Sequence, residues 1–423
     1  MDKIKVGVFG AYRGKTMIKV LANHPNAELV AVCDKYRPLL DEVQGLVDEN
    51  KLGISLYEDF ESFFLHDMDA VVLANYANEH APYAVRLLKC GRHVLSEVLP
   101  CETMSQAVEL IEAVEESGKV YAYAENYCYM KGPFEMWRRY ESGDIGEVQY
   151  AEGEYIHDCS NIWPQISYGE RDHWRNRAFS TFYNTHSLGP ITVATGRRPV
   201  RVTGFETNIR RKGFVSGINA LGAVEMVTLD NGAVVKSIHG GLKREPGSVN
   251  YQIYGSKGMM ETNRWNVSSL SVYMESDKLC KGDLTHYDPE QFVSPEMAAK
   301  FGSHSGSDYY PTHFFIEKIL GNPDGEKYSI DVCTAVDMGI CGILAYRSIL
   351  NGGFPVRVPN LRNKDERDEY RDDRACTNPA VAGDQLLPVS PQFDYDSLPD
   401  EVFDQCRRLW EQNKEAETFE ADI

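Results

Sequence analysis

Ile4-Lys5-Val6-Gly7-Val8-Phe9-Gly10-Ala11-Tyr12-Arg13-Gly14 opens the chain with a short apolar run, a glycine turn and the start of an amphipathic stretch. The run is short enough for a buried strand, a helical pattern follows from Thr16, and a second apolar run, Leu29–Cys33, ends on Asp34. A strand, a glycine turn, a helix and a strand ending in an acid form the nucleotide-binding arrangement of the Rossmann fold. Gly10 lets the chain turn sharply, Gly14 is expected to let backbone approach a pyrophosphate, and the helix N-terminus offers unpaired N–H donors to the anion. Asp34 can accept hydrogen bonds from a ribose diol and repels a 2′-phosphate. NAD is therefore favoured, with Lys35 and Arg37 keeping NADP open. Tyr12 stands where the second glycine of the fingerprint is expected; Tyr12 and Arg13 complete the cofactor turn.

Working outward, strand-like and helical stretches keep alternating. Ala70–Ala74, a helix from His80, His93–Ser96, a helix from Ser105, and Val120–Ala124 follow in turn. This alternation predicts a parallel α/β domain over 1–125, with ligands at the C-terminal edge of its strands. After Glu125 the runs lengthen and intervening helices become few: Val148–Tyr155, Val200–Glu206, Ala223–Leu229, Ala233–His239 and Val249–Tyr254. The pattern predicts an α+β domain over 126–355 with a large, open, mainly antiparallel sheet, and helices near 311–320 and 330–350. Between Arg362 and Arg374 every residue except Asn363 and Tyr370 is charged, which reads as a solvated surface segment or linker. With a helical tail over 396–418, this makes 356–423 a third region.

Lys and Arg total 44 against 63 Asp and Glu, a net charge of −19, so nucleic acid and anionic membrane surfaces are expected not to be partners. Residues 1–10 lack a signal-peptide pattern and no apolar run approaches the ~18 residues needed to span a bilayer, so a cytoplasmic location is expected. The 10 cysteines are scattered without a CxxC pair and read as free thiols. With no HExxH and no Cys/His cluster at ligand spacing, no metal is expected.

Asp69-Ala70-Val71-Val72-Leu73-Ala74-Asn75, His80, and Gly91 through Pro100 resemble the Gfo/Idh/MocA superfamily. Its members carry a strand ending near Thr or Asn, a His soon after, and a Glu-Lys-Pro stretch beside the nicotinamide. Tyr251 through Gly258 is similar to a strand signature of the superfamily's second domain. The resemblance implies that Asn75, His80, Glu97 and Asn126 contact the cofactor; Glu97 reads equally as an acceptor for backbone N–H groups. The superfamily's lysine, which in its sugar dehydrogenases contacts the reacting hydroxyl, is Val98 here, and Phe182 breaks its Asp-x-x-x-His pair with His186.

The departure at position 98 looks like the branch of NAD-dependent glycosidases, such as the α-N-acetylgalactosaminidases of glycoside hydrolase family 109. Glu125-Asn126-Tyr127, Tyr155-Ile156-His157-Asp158, Trp174-Arg175, Tyr183 through Pro190 and Gly302 through Tyr309 resemble stretches of that family. The resemblance implies a sugar pocket lined by Glu125, Asn126, Tyr155, His157, Arg175, Tyr183, His186, His304 and Tyr309. It also implies tightly held, recycled NAD: oxidation of a ring hydroxyl at C3, elimination of the aglycone, hydration and re-reduction. His186 is expected to serve the C3 hydroxyl with Tyr183 and His157 assisting, and Tyr155 or Tyr309 to serve C2 or the leaving group. His157 also reads as a structural histidine and His304 as a helix cap. Arg171, His173, Arg175 and Arg177 read either as a surface ion-pair network or as a site for an anionic sugar. Two rival functions remain: an NAD(P)-dependent sugar or inositol dehydrogenase with a non-lysine base, and a non-catalytic NAD-binding sensor. Self-association into a homo-oligomer through the open sheet is expected.

Overall fold

The computed structural model describes residues 3–50, 53–207, 222–276, 281–392 and 394–415. It divides into two compact units, each assembled from separated stretches. The first comprises 1–131, 290–336 and 361–372, and the second 132–289, 337–360 and 373–423. The sequence suggested contiguous regions parting at 125 and 355. In the structure the chain returns to the first unit after the second unit's sheet, and the last stretch packs with the second unit rather than forming a third region.

The first unit holds a parallel sheet of β1 (Ile4–Phe9), β2 (Ala27–Cys33), β3 (Ser55–Tyr57), β4 (Ala70–Leu73), β5 (His93–Ser96) and β6 (Tyr121–Tyr123). The order β3-β2-β1-β4-β5-β6 is doubly wound, so the ends of β1, β2 and β4 meet where the winding reverses. β1, β2 and β4 bury Val6, Val8, Val32, Ala70 and Val72 against Met17, Ile18 and Leu21 of the helix Ala11–Asn23. Phe315 and Ile316, from the later helix Tyr309–Ile319, join the same core. β3 escaped the sequence reading because three half-buried residues carry too little pattern.

The charged block also belongs to this unit. Arg367 is fully buried and pairs with Glu115, donating in addition to the Leu361 carbonyl, and Arg371 grips Glu112 with two hydrogen bonds. Opposite charges supplied by the helix Met104–Ser117 turn the expected linker into a docked segment.

The second unit is a nine-stranded sheet: β7 (Val148–Ile156), β8 (Pro199–Glu206), β9 (Gly222–Leu229), β10 (Val234–Gly240), β11 (Ser248–Gly255), β12 (Gly258–Asn263), β13 (Asn266–Glu275), β14 (Gly282–Tyr287) and β15 (Val356–Arg357). The order is β14-β13-β12-β11-β7-β10-β9-β8-β15, and every pairing is antiparallel except β7 with β10. The helix Asn184–Thr195, buried along its whole length, lies on one face of this sheet. It reaches β7 because a Cβ on Gly153 would sit 1.8 Å from the Ser187 carbonyl oxygen, so only glycine permits the approach.

The tail forms a helix over Asp400–Glu415, whose Phe403 and Cys406 pack on Trp163, Ile166 and Tyr395; the predicted residues 416–418 lie outside the described residues. The stretch Pro323–Leu350, which ends in the helix Val332–Leu350, is long and apolar enough by length and composition to cross a membrane, although Asp337 and Arg347 interrupt its apolar run and most of it is buried inside the fold. The nine described cysteines are free, and Cys280 lies outside the described residues.

Candidate active site

In the first unit, Gly10 has φ +100°, and a Cβ there would lie 2.3 Å from the Ala74 carbonyl oxygen. Glycine is therefore required where β1 turns into the helix. That helix begins at Ala11, ahead of the expected Thr16, so Gly14 falls inside its first turns. A Cβ on Gly14 would meet Val8 Cγ1 at 2.8 Å and Ala74 Cβ at 3.4 Å. Gly14 thus presses the helix onto the sheet, which corrects the expectation that it opens the turn to a pyrophosphate. Asp34 accepts from the Ala11 N–H at 2.7 Å through Oδ2 and from the Tyr36 N–H at 2.8 Å through Oδ1. Tyr12, on the first helical turn, is 39% exposed.

Arg13 is the hub of a network that the sequence reading did not foresee. Its Nη2 lies 2.6 Å from Glu97 Oε1, and its two terminal nitrogens donate to both oxygens of Asp308 at 3.2 and 3.3 Å. Asp308 also accepts from Asn126 Nδ2 at 2.7 Å, from Ser303 Oγ, and faces His304 Nδ1 at 2.7 Å. Burial opposes both charges, but Glu97 and Asp308 hold the Arg13 pKa above its usual value, while Arg13 and His304 hold that of Asp308 well below the carboxylate range. His304 has φ +50° and rests its ring near Tyr127, so it partners Asp308 rather than capping a helix. Glu125 and Asn126 are buried directly after β6. Glu97 Oε2 accepts from the Val98 N–H at 3.0 Å, so Glu97 is both a backbone acceptor and the partner of Arg13.

His80 sets Nδ1 3.1 Å from the Leu99 carbonyl and Nε2 3.3 Å from that of Asn75. Burial lowers its pKa to about 4, and the neutral ring, with a single N–H, can donate to only one of the two carbonyls at a time. Asn75 donates to Glu79 through Nδ2, while its buried Oδ1 has no partner among the described residues. A cradle that a Cβ would fill, a helix start without a side-chain cap or first-turn acid, a carboxylate at the end of β2 and the orphaned Asn75 oxygen together fit a dinucleotide.

Tyr309 does not join this cluster. It is 1% exposed, its ring stacks on His313, and its hydroxyl lies 3.3 Å from His313 Nδ1. One residue along the chain from Asp308, it points into the packing of its own helix, which corrects its assignment as a proton-transfer group. His313 Nδ1 meets His24 Nε2 at 2.9 Å, and with Glu317 they form a group at possible metal-ligand distance. His24 Nδ1 accepts the Asn26 N–H, however, which places the proton on Nε2 and makes the contact an N–H···N hydrogen bond.

The second unit gathers the remaining residues. Tyr155, at the end of β7, brings its hydroxyl 3.1 Å from His157 Nδ1 and its ring edge-on to His186, with centroids 4.7 Å apart. Tyr183 stacks on His186 at 5.7 Å, and its hydroxyl accepts from Arg175 Nη1 at 3.0 Å. His157 Nδ1 also lies 3.6 Å from Cys159 Sγ, whereas the neighbouring Asp158 faces Lys243 at 2.8 Å and caps the turn Cys159–Asn161. Arg171 pairs with Asp400 and Arg177 with Asp396, so two of the four basic residues form a surface ion-pair network. Behind His186, Glu225 and His239 are fully buried on β9 and β10. Burial pushes the Glu225 carboxyl up to about 8 and the His239 imidazole down to about 3.

Residues 4–125 match the family described as "Oxidoreductase family, NAD-binding Rossmann fold". Over most of its length the chain is similar to proteins named for glycosyl hydrolase family 109. It is 24% identical to "Glycosyl hydrolase family 109 protein 1" of Bacteroides thetaiotaomicron, covering 85% of each chain, and 22% identical to the corresponding protein of Porphyromonas gingivalis, covering 88% of this chain and 87% of that one. Among solved structures it shares its fold with a levoglucosan dehydrogenase in complex with NADH and levoglucosan (TM-score 0.68, 18% identity) and with myo-inositol 2-dehydrogenase from Lactobacillus plantarum (TM-score 0.63, 17% identity). Each comparison covers 85% of this chain and all of the other. The resemblance read from the sequence therefore holds: a first stretch that matches an NAD-binding Rossmann oxidoreductase family, in a chain similar to proteins named for glycosyl hydrolase family 109.

Proposed function

We propose that the chain is an NAD-dependent glycoside hydrolase that works by transient oxidation of its sugar. The observation that carries this reading is the second unit's contiguous set of Arg175, Tyr183, His186, Tyr155 and His157, in a chain with valine at the position of the dehydrogenases' lysine. The names of its curated relatives support it. Gly10, Tyr12, Arg13, Asp34, Asn75, His80, Glu97 and Asn126 would hold NAD, with Gly14 seating its helix on the sheet. When bound, NAD supplies reversible hydride acceptance at the sugar's C3.

In this scheme His186 takes the C3 hydroxyl proton as the C3–H leaves as hydride, and Tyr183, tied to Arg175, orients the same oxygen. The resulting ketone acidifies C2–H. Tyr155 gives its hydroxyl proton to His157 as it takes the C2 proton, and as the C1–O bond breaks Tyr155 passes the C2 proton to the departing aglycone oxygen and recovers its own from His157. Water then adds its hydroxyl to C1 and a proton to C2 of the enone. His186 then returns its proton to the C3 oxygen, and because bound NAD would take back no more than the hydride it had accepted, the net change is hydrolysis.

The test is a panel of α- and β-glycosides with NAD well below substrate concentration. A glycosidase releases many aglycones per NAD without accumulating NADH. A dehydrogenase forms one NADH per sugar oxidised, and an NAD-binding sensor does neither.

A further inference from the structure

The four basic residues of the 171–177 turn do not share one role. Arg171 and Arg177 are each paired with an acid, as are Arg13, Arg347 and Arg367 elsewhere in the chain. Arg175 forms no ion pair among the described residues. Its guanidinium lies against the Trp174 ring at 4.5 Å and spends one donor on the Tyr183 hydroxyl. Burial opposes its charge, yet the Tyr183, Cys159 and Tyr155 side chains around it hold its pKa above the usual value. It is a half-buried cation set against an aromatic face and a phenol hydroxyl, with no carboxylate at ion-pair distance among the described residues. Withdrawing a charge from water is unfavourable unless it is paired. A guanidinium keeps a rigid fork of donors that suits a carboxylate or sulfate oxygen pair.

We propose that Arg175 is a specificity-determining residue whose missing partner arrives on the substrate, as a carboxylate or sulfate group carried by the sugar. The inference rests on the reading that this unit holds the sugar, and it narrows the substrate class from glycosides in general to anionic ones. The fork also explains why a chain of net charge −19 can hold an anion: the attraction is local, over a few ångströms, whereas the diffuse negative field is screened within about 8 Å at physiological salt. Tyr183 couples the two roles, because one hydroxyl accepts from Arg175 while its ring stacks on His186. An anion docked on the guanidinium is therefore registered one residue away from the group that takes the proton.

The test measures binding, so it does not depend on turnover. The NAD-loaded protein is titrated calorimetrically with matched pairs of methyl glycosides: glucoside against glucuronide, galactoside against galacturonide, and galactoside against its 6-sulfate. The expected result is a preference of tenfold or more for the charged member of at least one pair. That preference should largely persist in Arg175→Lys and vanish in Arg175→Gln. The uronide pairs and the sulfate pair distinguish the two oxyanions. Equal binding of charged and neutral members in every pair would overturn the proposal, as would a preference that survives in Arg175→Gln. Aglycone release and NADH, followed separately, decide the hydrolase reading, so either idea can fail alone. NAD affinity, read in the same variants, should be unchanged and reports that they fold.

Discussion

At the residue scale, two buried carboxyl groups give opposite pH signatures. Asp308 has its pKa depressed by Arg13 and His304, so its contribution to stability is fully present above the ordinary carboxylate range and fades only in strong acid. Asp308→Asn should lower stability at pH 7 by about 2 to 3 kcal/mol, the low side of breaking a buried ion pair, because the Arg13 side chain remains 34% exposed. Denaturant melts of the two proteins should converge only at very low pH. Glu225 is the reverse case. Its folded pKa of about 8 lies above its ordinary 4.5, so the native state holds a proton that the unfolded chain gives up between those values, and stability falls as pH rises through that window. Glu225→Gln should gain on the parent from pH 4.5 to 8, by up to on the order of 4 kcal/mol, and the gap should then stay flat. A parent that keeps pace with the variant at pH 8.5 would show that Glu225 is ionised in the fold. His186→Asn should cut turnover roughly 10² to 10⁴-fold and leave NAD affinity unchanged.

At the scale of elements, glycines set the two approaches on which the account depends. Gly153→Ala would drive a Cβ into the Ser187 backbone, so the helix bearing His186 must lift from β7. The expected outcome is a loss of about 2 to 3 kcal/mol, the cost of forcing volume into a packed core, with a fall in turnover and no change in NAD affinity. Gly10→Ala should do the opposite, abolishing NAD binding, since both its φ and the Ala74 carbonyl exclude a Cβ. Equilibrium dialysis with NAD separates the two variants.

These elements also mark what the sequence could reveal. β1 and β5 were read at their observed bounds, because short, largely apolar runs between turn signals have few alternatives. The helix start was placed too late because Tyr12 and Arg13 look like turn residues, and their helical role depends on Asp34 accepting the Ala11 N–H. The strands β12 to β14 were passed over, since their alternation is diluted by exposed polar residues on both faces. Asp308 was overlooked and Tyr309 chosen because a motif gives neighbouring residues equal weight. Which of two adjacent side chains turns toward Arg13 is decided by a contact spanning 295 residues of sequence. The charged block at 362–374 misled for the same reason: Arg367 has its partner in Glu115, far back in the chain.

At the scale of the whole molecule, the two units divide the work that the proposal assigns. The first has the glycine cradle, the Asp34 carboxylate and the Arg13 network expected of a nucleotide holder. The second has the tyrosines, histidines and an arginine without an ion pair among the described residues, as expected of a sugar handler. The account's central claim is that electrons are borrowed from the sugar and returned within one turnover. The most direct measurement is hydrolysis of a competent glycoside in deuterated water with trace NAD, followed by NMR of the released sugar. The account predicts deuterium at C2, hydrogen retained at C3 and no accumulation of NADH; cleavage with C2 fully protonated would contradict it.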